Sequence, residues 1–367
     1  MKWHNTLIFI FTVLTAASLL LSYAAQYISP QKAWWLAYFG LAYLPVVLFN
    51  FLLLVYWLFV NRKVFFVLLL FLLAGFGAHK NAFAFSPGPE KQENNITLLT
   101  WNVKGLDAFH PDTPFENRNA MLDVIAGVHA DIICLQEFNT YQNESPERKN
   151  LDELKQRTGL QHVYYYKAYE NKKKTRSFGL LILSRFPIQN TGVVNYETVS
   201  KLNASIFADI TIDSVVVRLF TVHLQSTQLT HHDLEFIDPI EGSGNTNFDT
   251  EKVMHKLSSA FRLRAVQADS VRSTMDQSPY PAIICGDFND TPVSYTYHTI
   301  SKNMQDAFLQ SGTGIGNTFV TLPFLRIDYM LFDTEAFTID EFMRVNTKTS
   351  DHYPCVTKFR VTATAKD

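Results

Sequence analysis

The sequence predicts an α/β sandwich carried behind a membrane-spanning helical region. Three observations predict it. The first 87 of 367 residues contain no Asp or Glu and hold three long apolar stretches. Beyond residue 96, short apolar runs alternate with amphipathic helical stretches. Several of those runs end in an acid, an amide or a histidine.

The membrane region comes first. Lys2, Lys32, Arg62, Lys63 and Lys80 give this part a charge of +5; the 27 basic and 34 acidic residues that follow give −7. So sharp a boundary separates two solvents, lipid and water. Leu7 to Ile28 and Ala33 to Val60 carry no charge, and a span needs about 20 apolar residues. Val64 to Ala78 is shorter and spans only if Lys63 snorkels and the helix continues toward Phe85. The expected anchor is therefore 1–84, with spans at about 7–28, 34–59 and 64–84. The first stretch is no cleaved signal peptide, because no small-residue site precedes a polar mature region and a second span follows. Trp34, Trp35, Tyr56 and Trp57 suit an interfacial aromatic belt. Arg62 and Lys63, with Lys2 on the same side, put the N-terminus in the cytoplasm and the following domain outside it. Lys32 and Lys80 lie on the other side.

A polar linker with Pro and Gly follows at 85–95. The second domain is expected over 96–362, with a tail at 363–367. Leu98-Leu99 leads into Asn102, Ile132 to Leu135 into Glu137, Val217 to Val222 into His223, and Ile283 to Cys285 into Asp287. Apolar runs of this length read as buried strands. Asn117 to His129 reads as a helix, with Met121, Leu122, Ile125 and Val128 on one side. Leu151 to Thr158 is a second and Phe261 to Met275 a third, with Leu263, Val266 and Val271 as apolar positions. Cys134, Cys285 and Cys355 sit in apolar surroundings without a CxxC, as buried free thiols. Two loops stand out. Asn171 to Arg176 carries Lys172, Lys173, Lys174 and Arg176, either as a solvated hairpin tip or as a basic finger for an anionic surface. Gln225 to Glu251, with His231 and His232, is long enough to be a lid or a disordered segment.

Acids, amides and histidines at the ends of several buried strands meet at one edge of a sandwich. Hard oxygen donors with histidines suit Mg²⁺-assisted hydrolysis of a phosphate ester, and no Cys/His spacing points to zinc. Seven blocks follow in order: Thr100-Trp101-Asn102-Val103, Leu135-Gln136-Glu137, Gly179 to Pro187, Thr221-Val222-His223-Leu224, Gly286-Asp287-Phe288-Asn289, Arg326-Ile327-Asp328-Tyr329 and Ser350-Asp351-His352. On these blocks the chain, from about Ile96 to about Val361, resembles the endonuclease/exonuclease/phosphatase family. The resemblance implies a DNase I-like four-layered αββα sandwich, here preceded by three transmembrane helices.

It also implies roles. Asn102, Glu137 and Asp351 belong to the Mg²⁺ (or Mn²⁺) side. Asp287 orients or deprotonates the attacking water, and Asn289, two residues on along an extended strand end, donates to a phosphate oxygen. His352 contacts the scissile phosphate, and Asp328 fixes its tautomer. His223 matches the second histidine of DNase I and the sphingomyelinases; apurinic endonucleases place a tyrosine there. Ser184-Arg185-Phe186-Pro187 reads as structural, with Arg185 as a phosphate contact the alternative. The implied protein is a membrane-anchored, metal-dependent phosphoesterase acting on nucleic acid or on a phospholipid headgroup. The bilayer is its other partner, and no protein partner is inferred. A charge of −7 disfavours a polyanion, whereas an anchor favours a headgroup. The alternative is a catalytically silent scaffold of the same fold. Its signature, loss of Glu137, Asp287 or His352, is absent.

Overall fold

The computed structural model describes residues 3–86, 95–108, 115–141, 149–196, 202–227 and 250–362. Most of the expected linker and tail, and the loop from 228 to 249 with His231 and His232, lie outside them. The chain divides into two compact units. One comprises Met1–Phe76, Gln225–Ala268 and Val293–His298; the other comprises Gly77–Leu224, Asp269–Pro292 and Thr299–Asp367.

In the first unit, α1 (Trp3–Ala25), α2 (Pro30–Ala33), α3 (Leu36–Leu41), α4 (Tyr43–Val60) and α5 (Arg62–Ala74) follow in order, and α6 (Phe76–Ala82) begins at its end. α1 and α4 are long and apolar enough to cross a membrane; α5 and α6 together make a third such segment, bent by 61°. The second apolar helix starts at Tyr43 rather than near residue 34. Pro45 is the cause: it lacks an N–H and is tolerated only in a helix's first turn, so 30–41 form two short helices instead. Polar side chains stitch α1 to α4. Asn50 Nδ2 donates to the Thr15 carbonyl at 3.0 Å, and Trp57 Nε1 to Thr12 Oγ1 at 2.8 Å. Trp57 is thus fully buried between helices and is no belt residue. Tyr56 OH likewise reaches Asn5 Oδ1 at 3.0 Å. Such bonds are directional and fix how the two helices meet.

A further helix, α9 (Thr250–Asp276), begins in this unit. Its C-terminal half was expected from the sequence. Its first turns were not, because Glu251, Lys252, His255, Lys256, Ser258 and Ser259 leave little apolar signal there.

The second unit is built on two six-stranded sheets. One runs β13 (Phe337–Arg344), β14 (Cys355–Val361), β2 (Ile96–Asn102), β3 (Ile132–Tyr141), β5 (Arg176–Ser184), β4 (His162–Glu170). The other runs β10 (Met304–Asp306), β12 (Asp328–Asp333), β9 (Ala282–Asp287), β8 (Val215–His223), β7 (Ser205–Ile212), β6 (Ile188–Val193). The apolar runs are unbroken because both strand faces are covered. Leu98, Ile132, Cys134 and Ile182 point into the core between the sheets, against Ile206, Leu219, Ile283 and Cys285. Their neighbours Leu99, Ile133, Leu135 and Leu183 point outward against Met121, Leu122 and Ile125 of α7 (Arg118–Gly127) and Leu154 of α8 (Asn150–Thr158). All three cysteines are free and buried.

β2 pairs parallel with β3, and β8 parallel with β9. All four therefore end at the same edge. The antiparallel β12 begins there, with Asp328 opposite Asp287. Gly286 makes the last step of β9 possible. Its φ is +129°, and a Cβ would lie 2.2 Å from the Val222 carbonyl oxygen. Gly286→Ala should destabilise the protein by more than the roughly 1–3 kcal/mol of a strained backbone conformation, because a steric clash adds to it. Thermal unfolding of the purified variant checks this; an unchanged midpoint would contradict the geometry.

Candidate active site

The site grows from the ends of these strands. Glu137 lies in a β-bulge between Leu135 and Phe138, with φ +53°. The extra residue breaks the strand alternation, so buried Gln136 and partly exposed Glu137 serve different neighbours. Gln136 Nε2 donates to Thr100 Oγ1 at 3.0 Å in its own sheet and to Thr221 Oγ1 at 2.8 Å in the facing sheet. Asn102 bridges the sheets too: its Nδ2 donates to Glu137 Oε1 and to Asp287 Oδ2, both at 3.1 Å. Its Oδ1 accepts from the Lys104 amide. Asn102 thus faces Glu137 with nitrogen, not with the oxygen expected of a ligand.

Asp287 is the hub. Its Oδ2 lies 3.7 Å from His352 Nε2 and 3.8 Å from His223 Nε2. Its Oδ1 accepts the Asn289 amide at 2.8 Å. Burial pushes its carboxyl above the ordinary range and Asp328 adds to this, while His352, His223 and the Asn102 amide pull it back. His223 also lies 3.4 Å from Glu137 Oε1, and among the described residues neither of its buried ring nitrogens has a hydrogen-bond partner. Buried polar atoms left unpaired are costly, so this imidazole is held ready for something the protein itself does not supply.

His352 Nδ1 pairs with Asp328 Oδ2 at 2.9 Å. Burial alone would lower its pKa, but the charges of Asp328 and Asp287 and the bond to Asp328 outweigh that and hold it well above the usual histidine range. Trp101 Nε1 donates to the His352 carbonyl at 2.8 Å. Thr318 Oγ1 accepts from the Ile327 and Asp328 amides. Together they anchor both partners. Trp101 and Gln136 lay inside recognisable blocks without an assigned role; Thr318 gave no signal in the sequence.

Three of these residues have surroundings that the sequence reading lacked. Asn289 is not on an extended strand end. Its φ is +54°, and its Nδ2 donates to the Leu224 carbonyl at 3.0 Å, because the chain turns directly after Asp287. Asp351 meets the Lys104 ammonium at 3.1 Å. Arg185 pairs with Asp131 at the opposite end of β3 and is remote from this edge.

The donor chemistry fits a divalent cation. Glu137, Asp287, Asp328 and Asp351 form an acid-rich edge of hard oxygen donors, and Glu137 carries one hydrogen bond among the described residues. Asp287, Asp328 and His352 can each bring a ligand atom within 4.8 Å of the others. The Nδ1 of His352 is already engaged with Asp328 Oδ2.

Residues 99–352 match the family model described as Endonuclease/Exonuclease/phosphatase family, and residues 5–82 match a Domain of unknown function (DUF8431). No curated protein matches. Among solved structures, the catalytic domain of human Nocturnin with bound sulfate aligns with a TM-score of 0.51 at 16% identity, over 76% of this chain and 96% of that one. An endonuclease/exonuclease/phosphatase from Beutenbergia cavernae aligns at 0.49 and 16%, over 73% and 72%. D. rerio TDP2 humanized by 14 mutations aligns at 0.48 and 16%, over 72% and 99%. At these identities the likeness is one of fold.

Asp328→Asn should move the His352 titration to lower pH, since a neutral amide no longer favours the imidazolium. NMR titration of the His352 ring protons reads this directly. An unmoved midpoint would separate the two residues electrostatically.

Proposed function

We propose, for a chain that belongs to the endonuclease/exonuclease/phosphatase family, a membrane-anchored, Mg²⁺-dependent phosphoesterase with its catalytic domain outside the cytoplasm. The observation that carries the reading is the group Asp328–His352–Asp287–His223, joined through Asn102 to Glu137. Glu137 with Asn102 and Asp351 would hold the metal, Asn102 after turning its amide oxygen toward it. Bound there, Mg²⁺ would neutralise charge on the phosphate and on the leaving oxygen. Asp287 takes the proton of the attacking water. His352, kept cationic by Asp328, donates through Nε2 to a phosphate oxygen. His223, with both nitrogens unsatisfied, offers a second donor to the same phosphate. Nucleic acid and phospholipid headgroups both present the required group. The domain's −7 charge and the anchor favour the headgroup.

Support for the outside location comes from within the first unit. α2 and α3 join α1 to α4 at one end of both helices. The first turns of α9 pack on that connection: Tyr38 OH donates to the Met254 carbonyl at 2.7 Å, and Gln31 Nε2 to the Arg262 carbonyl at 2.8 Å. With Glu251, Lys252, Lys256 and Arg262, α9 is not a span. On this reading the chain returns to the α2–α3 side between Val60 and Thr250. Among the described residues, the bent pair α5–α6 is the segment able to carry it there.

Two outcomes are expected. Purified full-length protein with Mg²⁺ should hydrolyse at least one of plasmid DNA, sphingomyelin, phosphoinositides or bis-p-nitrophenyl phosphate. EDTA should abolish that activity, and Asp287→Ala or His352→Ala should lower kcat by roughly 10²–10⁴. Inactivity on the whole panel would favour the silent scaffold; full activity in EDTA would remove the metal. Alkaline phosphatase fused after Ser86 should be active and a cytoplasm-only fluorescent reporter dark. The reverse pattern would return the domain to the cytoplasm.

A further inference from the structure

The first unit contains a second feature with chemistry of its own. Between the α2–α3 connection and the first turns of α9 lies a cleft of about 580 Å³, lined among others by Gln31, Trp34, His255, Ser259 and Arg262. Its two walls are fastened together. Besides the bonds from Gln31 and Tyr38, the rings of Tyr38 and Phe261 meet edge to face at 5.3 Å. The Arg262 guanidinium stands over the Trp34 ring at 5.5 Å, a cation–π geometry that holds it at the cleft. Among the described residues the guanidinium has no hydrogen-bond acceptor and no carboxylate partner. Glu251, the one acid in the lining, lies roughly 16 Å away along the helix at 1.5 Å per residue. It does not neutralise Arg262.

Position selects the ligand. α2–α3 connects the two apolar helices, so the cleft opens where both leave the bilayer. Trp34 and Trp35 are exposed there, as tryptophans at headgroup level are. An exposed arginine fork beside them matches the geometry of a phosphate, which it grips with two parallel hydrogen bonds. Basic pockets beside membrane helices take headgroups by the same chemistry.

We propose that this cleft binds the phosphate of an anionic glycerophospholipid from the adjacent leaflet. Arg262 grips the phosphate, Ser259 donates its hydroxyl, and Trp34 covers the glycerol region. The site lies outside the candidate active site and uses none of its residues. It needs α1 and α4 to span a bilayer, and it does not depend on the chain being an enzyme.

Native mass spectrometry of full-length protein in mild detergent, supplied with phosphatidylglycerol, tests the assignment. The wild type should retain the lipid as a discrete adduct. Arg262→Gln should weaken retention by about tenfold, as expected for a lost charge-assisted pair, and Trp34→Ala should weaken it in the same direction. Arg262→Lys should hold more lipid than Arg262→Gln. Millimolar inorganic phosphate should leave the adduct in place. Lys173→Gln, on the β4–β5 hairpin, should have no effect. No adduct in the wild type, or equal retention by Arg262→Gln, would overturn the proposal. Displacement by inorganic phosphate would replace the lipid with free phosphate as ligand. An equal loss in Lys173→Gln would reduce the binding to nonspecific charge.

Discussion

A single buried amide, Gln136, crosses the seam between the two sheets and bonds a threonine in each. The rest of the site depends on that alignment. Apolar packing between sheets is non-directional and tolerates sliding. A buried amide tolerates it poorly, because a lost partner costs roughly 1–3 kcal/mol. Asn102 repeats the device one layer nearer the edge, reaching Asp287 in the facing sheet. Beside these bridges His223, carried by one sheet, lies 3.4 Å from Glu137, carried by the other, and 3.8 Å from Asp287.

Electrostatics completes what the bridges begin. Buried carboxylates would drift toward protonation, and Asp287 shows that tendency. His352 counters it, its own pKa held well above the usual range by Asp328 and Asp287 against the effect of burial. The bulge that strains Glu137 into a left-handed conformation belongs to the same economy. It turns one strand end into two functions, a cross-sheet bridge and an exposed carboxylate. The left-handed turn at Lys104–Asp107 follows Asn102 closely and carries the ammonium that meets Asp351.

The apolar helical unit follows different rules. Its helices are joined by Thr, Asn and Trp hydrogen bonds and by an apolar cluster around Ala16, Leu54, Trp57 and Leu68. Gly75 shows how close the packing is: a Cβ there would overlap the Tyr23 ring. α9 begins among the residues of this unit and ends among those of the other.

By itself the sequence determined the boundary between an apolar part without acids and a charged part, because that distribution belongs to the chain whatever the fold. It also determined the strands ending in Asn102, His223 and Asp287, since an apolar run covered on both faces needs no knowledge of its neighbours. The family blocks carried the same residues to one edge by resemblance. Other features were decided only by tertiary structure. The left-handed Asn289, the Lys104 partner of Asp351 and the distance of Arg185 from the edge depend on which loops and strand ends meet. Thr318 holds Asp328 from across a loop that no local pattern marks. Trp57 reads as an interfacial residue until a helix 45 positions earlier offers Thr12 as its acceptor. The polar start of α9 became a helix because α2 and α3 supply the surface it packs on. Local patterns fix which residues are apolar and where the chain turns; pairings between distant segments arise only when those segments are brought together.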